Sequence, residues 1–307
     1  MTDIVGHPDA PLDRPRTISG SQDRNASGGS SPRELWAGRE LLWNLTLREL
    51  RSKYKRSALG WAWSMVNPLS SIAIYAVVFT LIIGVGAPKG NPSNMNSFTM
   101  YLTCALLPWN FLSTSISAST GSLVGNANLL KKVYFPREYI VLATVLSWAV
   151  SFLIELAVLC VAFLFFGKIV FGWIPVVLAV VVIQTVLVTG YSLALAALNV
   201  YFRDVQHFIS IALQVWFYLT PVVYPIFNET KVFIPVRMHA LGLDIPVRRI
   251  YELNPMVHVV TAFRNLLYDG RLPGAASMAY LVGSSLAVLA FGWAVFRKLE
   301  PRMVEEL

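Results

Sequence analysis

The sequence has little charge, little cysteine and no recognisable catalytic motif. Only 14% of its 307 residues are charged, whereas 55% are hydrophobic. Because an ordinary soluble domain carries about 25% charged residues, this composition excludes a soluble fold and indicates a membrane protein. The two cysteines, Cys104 and Cys160, both lie in apolar stretches. They can form neither a disulfide framework nor a metal site at that spacing.

Motifs for nucleotide and metal chemistry are also missing. No glycine-rich P-loop occurs, so the chain cannot bind ATP phosphates by itself. No HExxH motif or Cys/His cluster predicts a metal. The acidic residues Glu229, Asp244, Glu252 and Asp269 are scattered and lack the paired carboxylates expected of a membrane glycosyltransferase. We therefore expect no catalytic residue, no metal and no cofactor in this chain.

Long stretches without charge make up most of the chain. A helix needs about 20 apolar residues to cross a bilayer core of about 30 Å, and each stretch is longer than that. The stretches are residues 57–88, 90–130, 139–167, 169–202, 205–228 and 272–296, and Glu155 is the one charge within them. We predict an all-α polytopic membrane protein with six transmembrane helices. The predicted spans are residues 62–85, 98–119, 139–166, 174–198, 207–225 and 276–296.

The basic residues predict the orientation of these spans. Arginine or lysine occurs before span one, between spans two and three, between spans four and five, and after span six. The two short loops on the other side hold only Lys89 and Lys168. Since short basic segments stay in the cytoplasm, both termini are predicted to be cytoplasmic. The net charge of +8 then reflects orientation and lipid contact, and we expect no nucleic-acid partner.

The chain before span one divides into a tail and a helix. Residues 1–32 are rich in Pro, Ser, Gly and charged residues, which predicts a disordered cytoplasmic tail. Residues 33–57 are predicted to form an amphipathic interface helix, since apolar residues such as Trp43 and Leu50 recur on one helical face. The helix ends in a basic cluster of Arg51, Lys53, Lys55 and Arg56. This cluster is either an anchor for span one or a wall of a substrate entrance.

Two segments of the membrane domain, residues 58–307, differ from the spans. Residues 121–138 are short, polar and basic, as expected of a cytoplasmic loop. Residues 226–275 are too apolar for a solvated loop, and Asn254-Pro255 begins a predicted helix there. We predict re-entrant gate helices in this segment, before the last span; a helix that lies on the outer leaflet is the alternative.

Six motifs in order resemble the membrane subunit (permease) of ABC-2 type polysaccharide exporters. The motifs are Tyr54-Lys55-Arg56-Ser57 with Asn67-Pro68-Leu69, Leu107-Pro108-Trp109-Asn110-Phe111, residues 128–138 (NLLKKVYFPRE), residues 199–205 (NVYFRDV), Pro221 with Tyr224-Pro225, and Asn254-Pro255. The resemblance covers about residues 33–300 and includes the O-antigen (Wzm-like) and teichoic acid (TagG-like) exporter permeases. The chain most resembles the permease that exports lipid-linked galactan in mycolate-type cell walls.

The resemblance implies a transport subunit that performs no covalent chemistry itself. It implies a homodimer in a bacterial cytoplasmic membrane, docked on a dimer of ABC ATPase subunits that bind ATP and Mg. The substrate would be a polyprenyl-pyrophosphate-linked glycan, with the basic cluster at the pyrophosphate entrance and residues 226–275 as the gate. Residues 121–138 would be the coupling helix. Its ATPase-coupling residues would be Lys131, Lys132, Tyr134, Phe135, Pro136, Arg137 and Glu138, and Arg203 and Asp204 would form a second cytoplasmic turn.

A glycan conduit is predicted from aromatic residues, because broad stacking faces let a long sugar chain slide. The predicted lining residues are Trp63, Tyr75, Trp216, Tyr218 and Tyr224; an interfacial aromatic belt is the alternative for each. The intramembrane Glu155 is expected to hydrogen bond to a neighbouring helix through Gln184 or Asn199.

Two other functions stay open at this point. One is an ABC-2 subunit for teichoic acid, a drug or another cargo. The other is a membrane enzyme or scaffold in lipid-linked glycan assembly. A neighbouring gene for a P-loop ATPase would favour the exporter.

Overall fold

The structure is a computed structural model. It describes residues 38–55, 62–82, 84, 89–132, 135–168, 170–223, 238–240, 243–245 and 247–306. The predicted tail of residues 1–32 lies outside the described residues. So do Arg56, Tyr134 and Tyr224 among the predicted functional residues.

The described residues are almost entirely helical, which confirms the all-α prediction. The helices are α1 (Arg39–Tyr54), α2 (Trp63–Tyr75, continued by a π-helix over Ala76–Ile82), α3 (Phe98–Gly125), α4 (Ala127–Lys132), α5 (Glu138–Phe165), α6 (Ile174–Tyr201, after a 3₁₀ turn at Phe171–Trp173), α7 (Val205–Tyr218), α8 (Val247–Glu252), α9 (Pro255–Phe263, continued by a π-helix over Arg264–Asp269), α10 (Ala275–Leu299) and α11 (Met303–Glu306, after a 3₁₀ turn at Glu300–Arg302). Among these residues, β1 (Met238–Ala240) and β2 (Leu243–Ile245) are the only strands, and they pair antiparallel.

A helix lies over each of the six predicted spans. Among the described residues, three helices are long and apolar enough to cross a membrane: Glu138–Phe165, Phe171–Tyr201 and Ala275–Arg302. Helix α3 has 28 residues, but its many Ser and Thr residues lower its hydropathy. Helices α2 and α7 are shorter, with 13 and 14 residues. The structure therefore supports three candidate spans, and the six-span arrangement stays a prediction.

A close backbone contact joins α6 and α10. Gly292 of α10 lies against the backbone of Gly190 in α6, and a Cβ atom on either glycine would overlap the backbone of the other helix. Small residues allow such close approach between membrane helices, where packing rather than water exclusion drives association. Since α6 also packs against α3 and α5, this crossing attaches α10 to the rest of the bundle.

The two ends of α3 define two ends of the protein. Its C-terminus lies with α1, α4, the start of α5 and the C-terminal residues 297–306, which together we name the basic end. Its N-terminus lies with α9 and the last residues of α7, which we name the gate end. In the predicted orientation, the basic end faces the cytoplasm.

Helix α1 runs alongside α5. A Cβ atom on Gly38 would overlap the Tyr139 ring at the start of α5, and Lys53 reaches Ser151 farther along the same helix. The side that faces α5 carries Leu45 and Leu50, both buried, whereas the predicted face residue Trp43 is 58% exposed. This side-by-side packing brings the end of α1 toward the middle of α5, and the position of α1 in the membrane interface stays a prediction.

The glycine crossing gives a prediction about stability. We expect Gly292→Ala to lower the free energy of unfolding by about 1–3 kcal/mol, the usual effect of overpacking. Gly283→Ala is the matched control in the same helix, because a Cβ atom there meets nothing within 4 Å; it should be neutral or stabilising by up to about 1 kcal/mol. Denaturant unfolding in detergent measures both. Equal effects of the two substitutions would contradict the close α6–α10 contact.

Candidate functional site

The predicted coupling segment contains one short helix, α4, after a capped corner. Asn126 follows α3, and its side-chain amide donates to the carbonyl oxygen of Ser122 at 2.9 Å. Arg48 of α1 donates to the Asn126 Oδ1 atom at 2.8 Å. The α3–α4 corner is therefore bound to α1. The last turn of α4 ends in Lys131 and Lys132, and both side chains are exposed.

The second half of the coupling segment is packed into the protein. Phe135 contacts two apolar clusters, one with Leu45 and Tyr139 and one with Leu130 and Met303. Pro136 is half-buried and accepts a backbone hydrogen bond from the N–H of Tyr139 at 3.2 Å. These contacts fix the path of the chain into α5.

An ion-pair network joins this segment to the end of α10. Glu138 is fully buried, and its Oε1 atom lies 3.3 Å from Nη2 of Arg297. Arg297 also pairs with Glu300 at 3.0 Å, and Arg137 donates to the backbone oxygen of Glu300. Tyr201 of α6 donates to the oxygen of Leu299 at 2.6 Å. The predicted coupling residues thus separate into an exposed pair of lysines and a group bound to the C-terminal residues.

Lys53 of the basic cluster lies against α5. Its Nζ atom is 3.5 Å from the centroid of the Trp148 ring and donates to Ser151 Oγ at 3.2 Å. Burial lowers the pKa of Lys53 to about 7, while the negative charges of Glu49 and Glu155 oppose this shift. The amine is thus within electrostatic reach of the intramembrane Glu155, for which the sequence predicts a hydrogen bond to Gln184 or Asn199. Gln184 instead donates to the oxygen of Pro108 at 2.7 Å.

Two other residues of the basic cluster and the predicted cytoplasmic turn are exposed. Arg51 and Lys55 are exposed at the end of α1. Arg203 and Asp204 are exposed in the turn between α6 and α7, where the Asp204 backbone oxygen accepts from the N–H groups of His207 and Phe208. These residues are available to a ligand or a partner, unlike Lys53.

The predicted conduit aromatics occupy different environments. Trp216 is half-buried, donates through Nε1 to Asn254 Oδ1 at 3.0 Å, and makes an edge contact with Trp109 at 6.0 Å between centroids. Tyr218, on the same helix, is 67% exposed. Trp63 is exposed on α2, and Tyr75 is half-buried there. Trp216 thus belongs to the packing of its own subunit, and the conduit stays a prediction.

Two polar residues bind α9 to the broken end of α7. Asn254 caps α9, since its Oδ1 atom accepts from the N–H of Met256 at 3.0 Å. Its amide nitrogen donates to Thr220 Oγ1 at 3.1 Å, in the turn that follows α7. The motif Asn254-Pro255 therefore has a structural purpose, because it caps one helix and holds the end of another.

Arg264 makes the second connection and was missed from the sequence. It is only 7% exposed, and it donates to the oxygens of Pro221 and Val222, both at 2.7 Å. Its guanidinium carbon lies 3.8 Å from the centroid of the Tyr101 ring in α3. A single arginine within an apolar helical pattern was the available signal, because a buried cation needs a dedicated set of acceptors.

Comparison with known proteins identifies the family. The family model for ABC-2 type transporters matches residues 40–268. The chain belongs to the ABC-2 type transporter family. It is similar to the O-antigen export system permease protein RfbA of Myxococcus xanthus, 31% identical over 89% of this chain and 96% of that protein. It is 30% identical to an RfbA of Klebsiella pneumoniae, and 23% identical to the polysialic acid transport protein KpsM of Escherichia coli over 85% of this chain and 93% of that protein.

These relatives confirm the resemblance predicted from the sequence motifs. They are named as permease and transport proteins, so the prediction of a transport subunit rather than an enzyme is confirmed. The basic end and the gate end are then the two ends of an ABC-2 membrane subunit. Residues 40–268 include α1, the coupling segment and Arg264, so the family match spans both ends.

The buried amine of this ABC-2 subunit gives a prediction about pH. Only the neutral amine reacts with acylating reagents, so the reaction rate at Lys53 should rise with pH and be half-maximal near pH 7. Peptide mass spectrometry after brief acetylation measures this rate. The variant Lys53→Arg, which cannot be acetylated at this position, confirms that the signal comes from Lys53. A rate that kept rising to the ordinary lysine pKa of about 10.4 would contradict the burial of this amine.

Arg264 gives a prediction about the gate end. Arg264→Met should lower the free energy of unfolding by at least about 3 kcal/mol, since two charge-assisted hydrogen bonds contribute roughly 1.5–3 kcal/mol each. Arg271→Met is the control, because Arg271 lies in the next turn, its side chain is 54% exposed, and it contacts Asp269 at 3.1 Å and Asn265 Oδ1 at 3.2 Å; it should change stability by less than about 1 kcal/mol. Thermal unfolding in detergent compares them. Similar losses in the two variants would contradict the role of Arg264.

Proposed function

We propose that this chain is the permease subunit of an ATP-driven exporter that moves polyprenyl-pyrophosphate-linked polysaccharide across the bacterial cytoplasmic membrane. The observation that carries the proposal is similarity over nearly the whole length of O-antigen export permeases, at 31% and 30% identity. A second relative group is named for polysialic acid transport. The shared cargo class of these proteins is a long polysaccharide.

The energy source is a separate ABC ATPase that binds ATP and Mg. The absence of a P-loop in the sequence supports this division of labour. Lys131 and Lys132 are the docking point that we propose, because they are exposed at the end of α4 while Arg137 and Glu138 are engaged within the subunit. Docking there would place the ATPase directly beneath the α3–α4 corner.

The subunit works as a homodimer with six spans and cytoplasmic termini. An exposed apolar stripe on α7 supports a second copy, with Phe208, Ile211, Val215 and Tyr218 at helical spacing and each more than half exposed. The glycan would pass between the two copies, along the exposed aromatic residues Tyr218 and Trp63. A pathway between copies suits a long chain, because neither subunit needs to enclose it.

The entrance for the lipid pyrophosphate is formed by the exposed cations at the end of α1. Arg51 and Lys55 are both exposed, and each basic residue near a membrane surface contributes about 1 kcal/mol toward an anionic headgroup. Lys53 has a different role, since its amine is occupied by α5. Lipid-linked galactan is the specific cargo that we propose, from the resemblance of the tail and the Ala- and Val-rich spans.

The function is tested in vesicles that contain the subunit, its ATPase and a lipid-linked glycan. ATP should drive the glycan to the far side of the membrane, where an impermeant lectin detects it. Lys131→Gln with Lys132→Gln should abolish both co-purification with the ATPase and export, while insertion is unchanged. Lys89→Gln with Arg271→Gln, which removes the same charge from the predicted external side, is the control. Normal docking by the lysine variant would refute this docking point, and no export by the unaltered complex would refute the function.

A further inference from the structure

The ion-pair network at the basic end connects two parts of the chain that sequence reasoning treats as independent. Glu138 closes the coupling segment, and Arg297 and Glu300 lie at the end of α10, more than 150 residues later. The Glu138 carboxylate is fully buried. A buried carboxylate of this kind is costly unless it is paired, so Arg297 must remain beside it whenever α5 moves.

A second contact supports the same connection. Leu130 of α4 lies in one apolar cluster with Phe296 of α10 and the fully buried Met303 of α11. Arg137 adds a hydrogen bond to the Glu300 backbone. The coupling segment therefore holds the C-terminal residues by an ion pair, an apolar cluster and a backbone contact.

The glycine crossing extends the connection into the membrane domain. Gly292 lies about one and a half turns before Arg297 and contacts the backbone of Gly190 in α6. Close backbone packing leaves no side chain that can yield between the two helices. A displacement of Arg297 would therefore move α10 together with α6.

We propose that the Glu138–Arg297–Glu300 network transmits ATPase movement from the coupling segment to α10. This inference rests on the proposed function and names the residues that carry the force within the subunit. Arg297 acts as a positioning residue and binds neither cargo nor nucleotide. Its two carboxylate partners use the forked guanidinium, which a single ammonium would not reproduce.

The test measures glycan exported per ATP hydrolysed in the vesicles described above. Arg297→Gln should lower this ratio roughly fivefold or more, the lower end of typical coupling between sites. Its co-purification with the ATPase should match the unaltered subunit, whereas its thermal stability should fall, because Glu138 is left buried without its partner. The double variant Glu138→Gln with Arg297→Gln also removes the buried charge, so it should restore most of the thermal stability while the ratio stays low. Lys298→Gln removes the same charge from an exposed neighbour and should have no effect.

Three results would overturn the inference. One is an unchanged ratio in Arg297→Gln. Another is a ratio that recovers together with thermal stability in the double variant, since this would make the network merely structural. The third is a loss of ATPase docking in Arg297→Gln, since this would explain the lost export without any transmission through α10. In each case the unaltered subunit would still export, which separates these results from failure of the proposed function.

Discussion

The gate end depends on hydrogen bonds to the backbone carbonyls that follow α7, because these carbonyls have no partner within the helix. Thr220-Pro221 ends this helix early, and the carbonyl groups of the buried Pro221 and Val222 cannot turn to water. Arg264 supplies two of the missing donors, and Asn254 fixes the preceding turn. The end of α7 and α9 therefore stabilise each other, because each provides hydrogen-bond partners that the other lacks.

The same principle of paired burial recurs at the other end of the protein. Glu138 is buried against Arg297, and Lys53 lies over Trp148 within reach of the charge of Glu155. Each of these pairs joins a helix at the surface of the bundle to α5. Charges that are expensive to bury alone become fixed connections when their partners come from distant parts of the chain.

These connections divide the predicted coupling residues into two groups with different tasks. Lys131 and Lys132 are exposed and can meet a partner, whereas Arg137 and Glu138 face the C-terminal residues. In the exporter that we propose, both tasks are needed, since force received at the surface must reach the membrane domain. The glycine crossing of α6 and α10 suits the second task, because tightly packed backbones move together.

The sequence by itself determined the membrane class, the all-helical architecture, the position of each apolar helix and the ABC-2 family. Hydropathy, capping residues and short motifs are local properties, so they can be read without knowing what lies nearby. Only the tertiary structure decided that Lys53 faces Ser151, that Glu138 pairs with Arg297 and that Arg264 binds Pro221 and Val222. No local pattern contains these pairings, because they join residues tens to more than a hundred positions apart. Burial then sets how much each pairing contributes to stability, and burial depends on the whole fold.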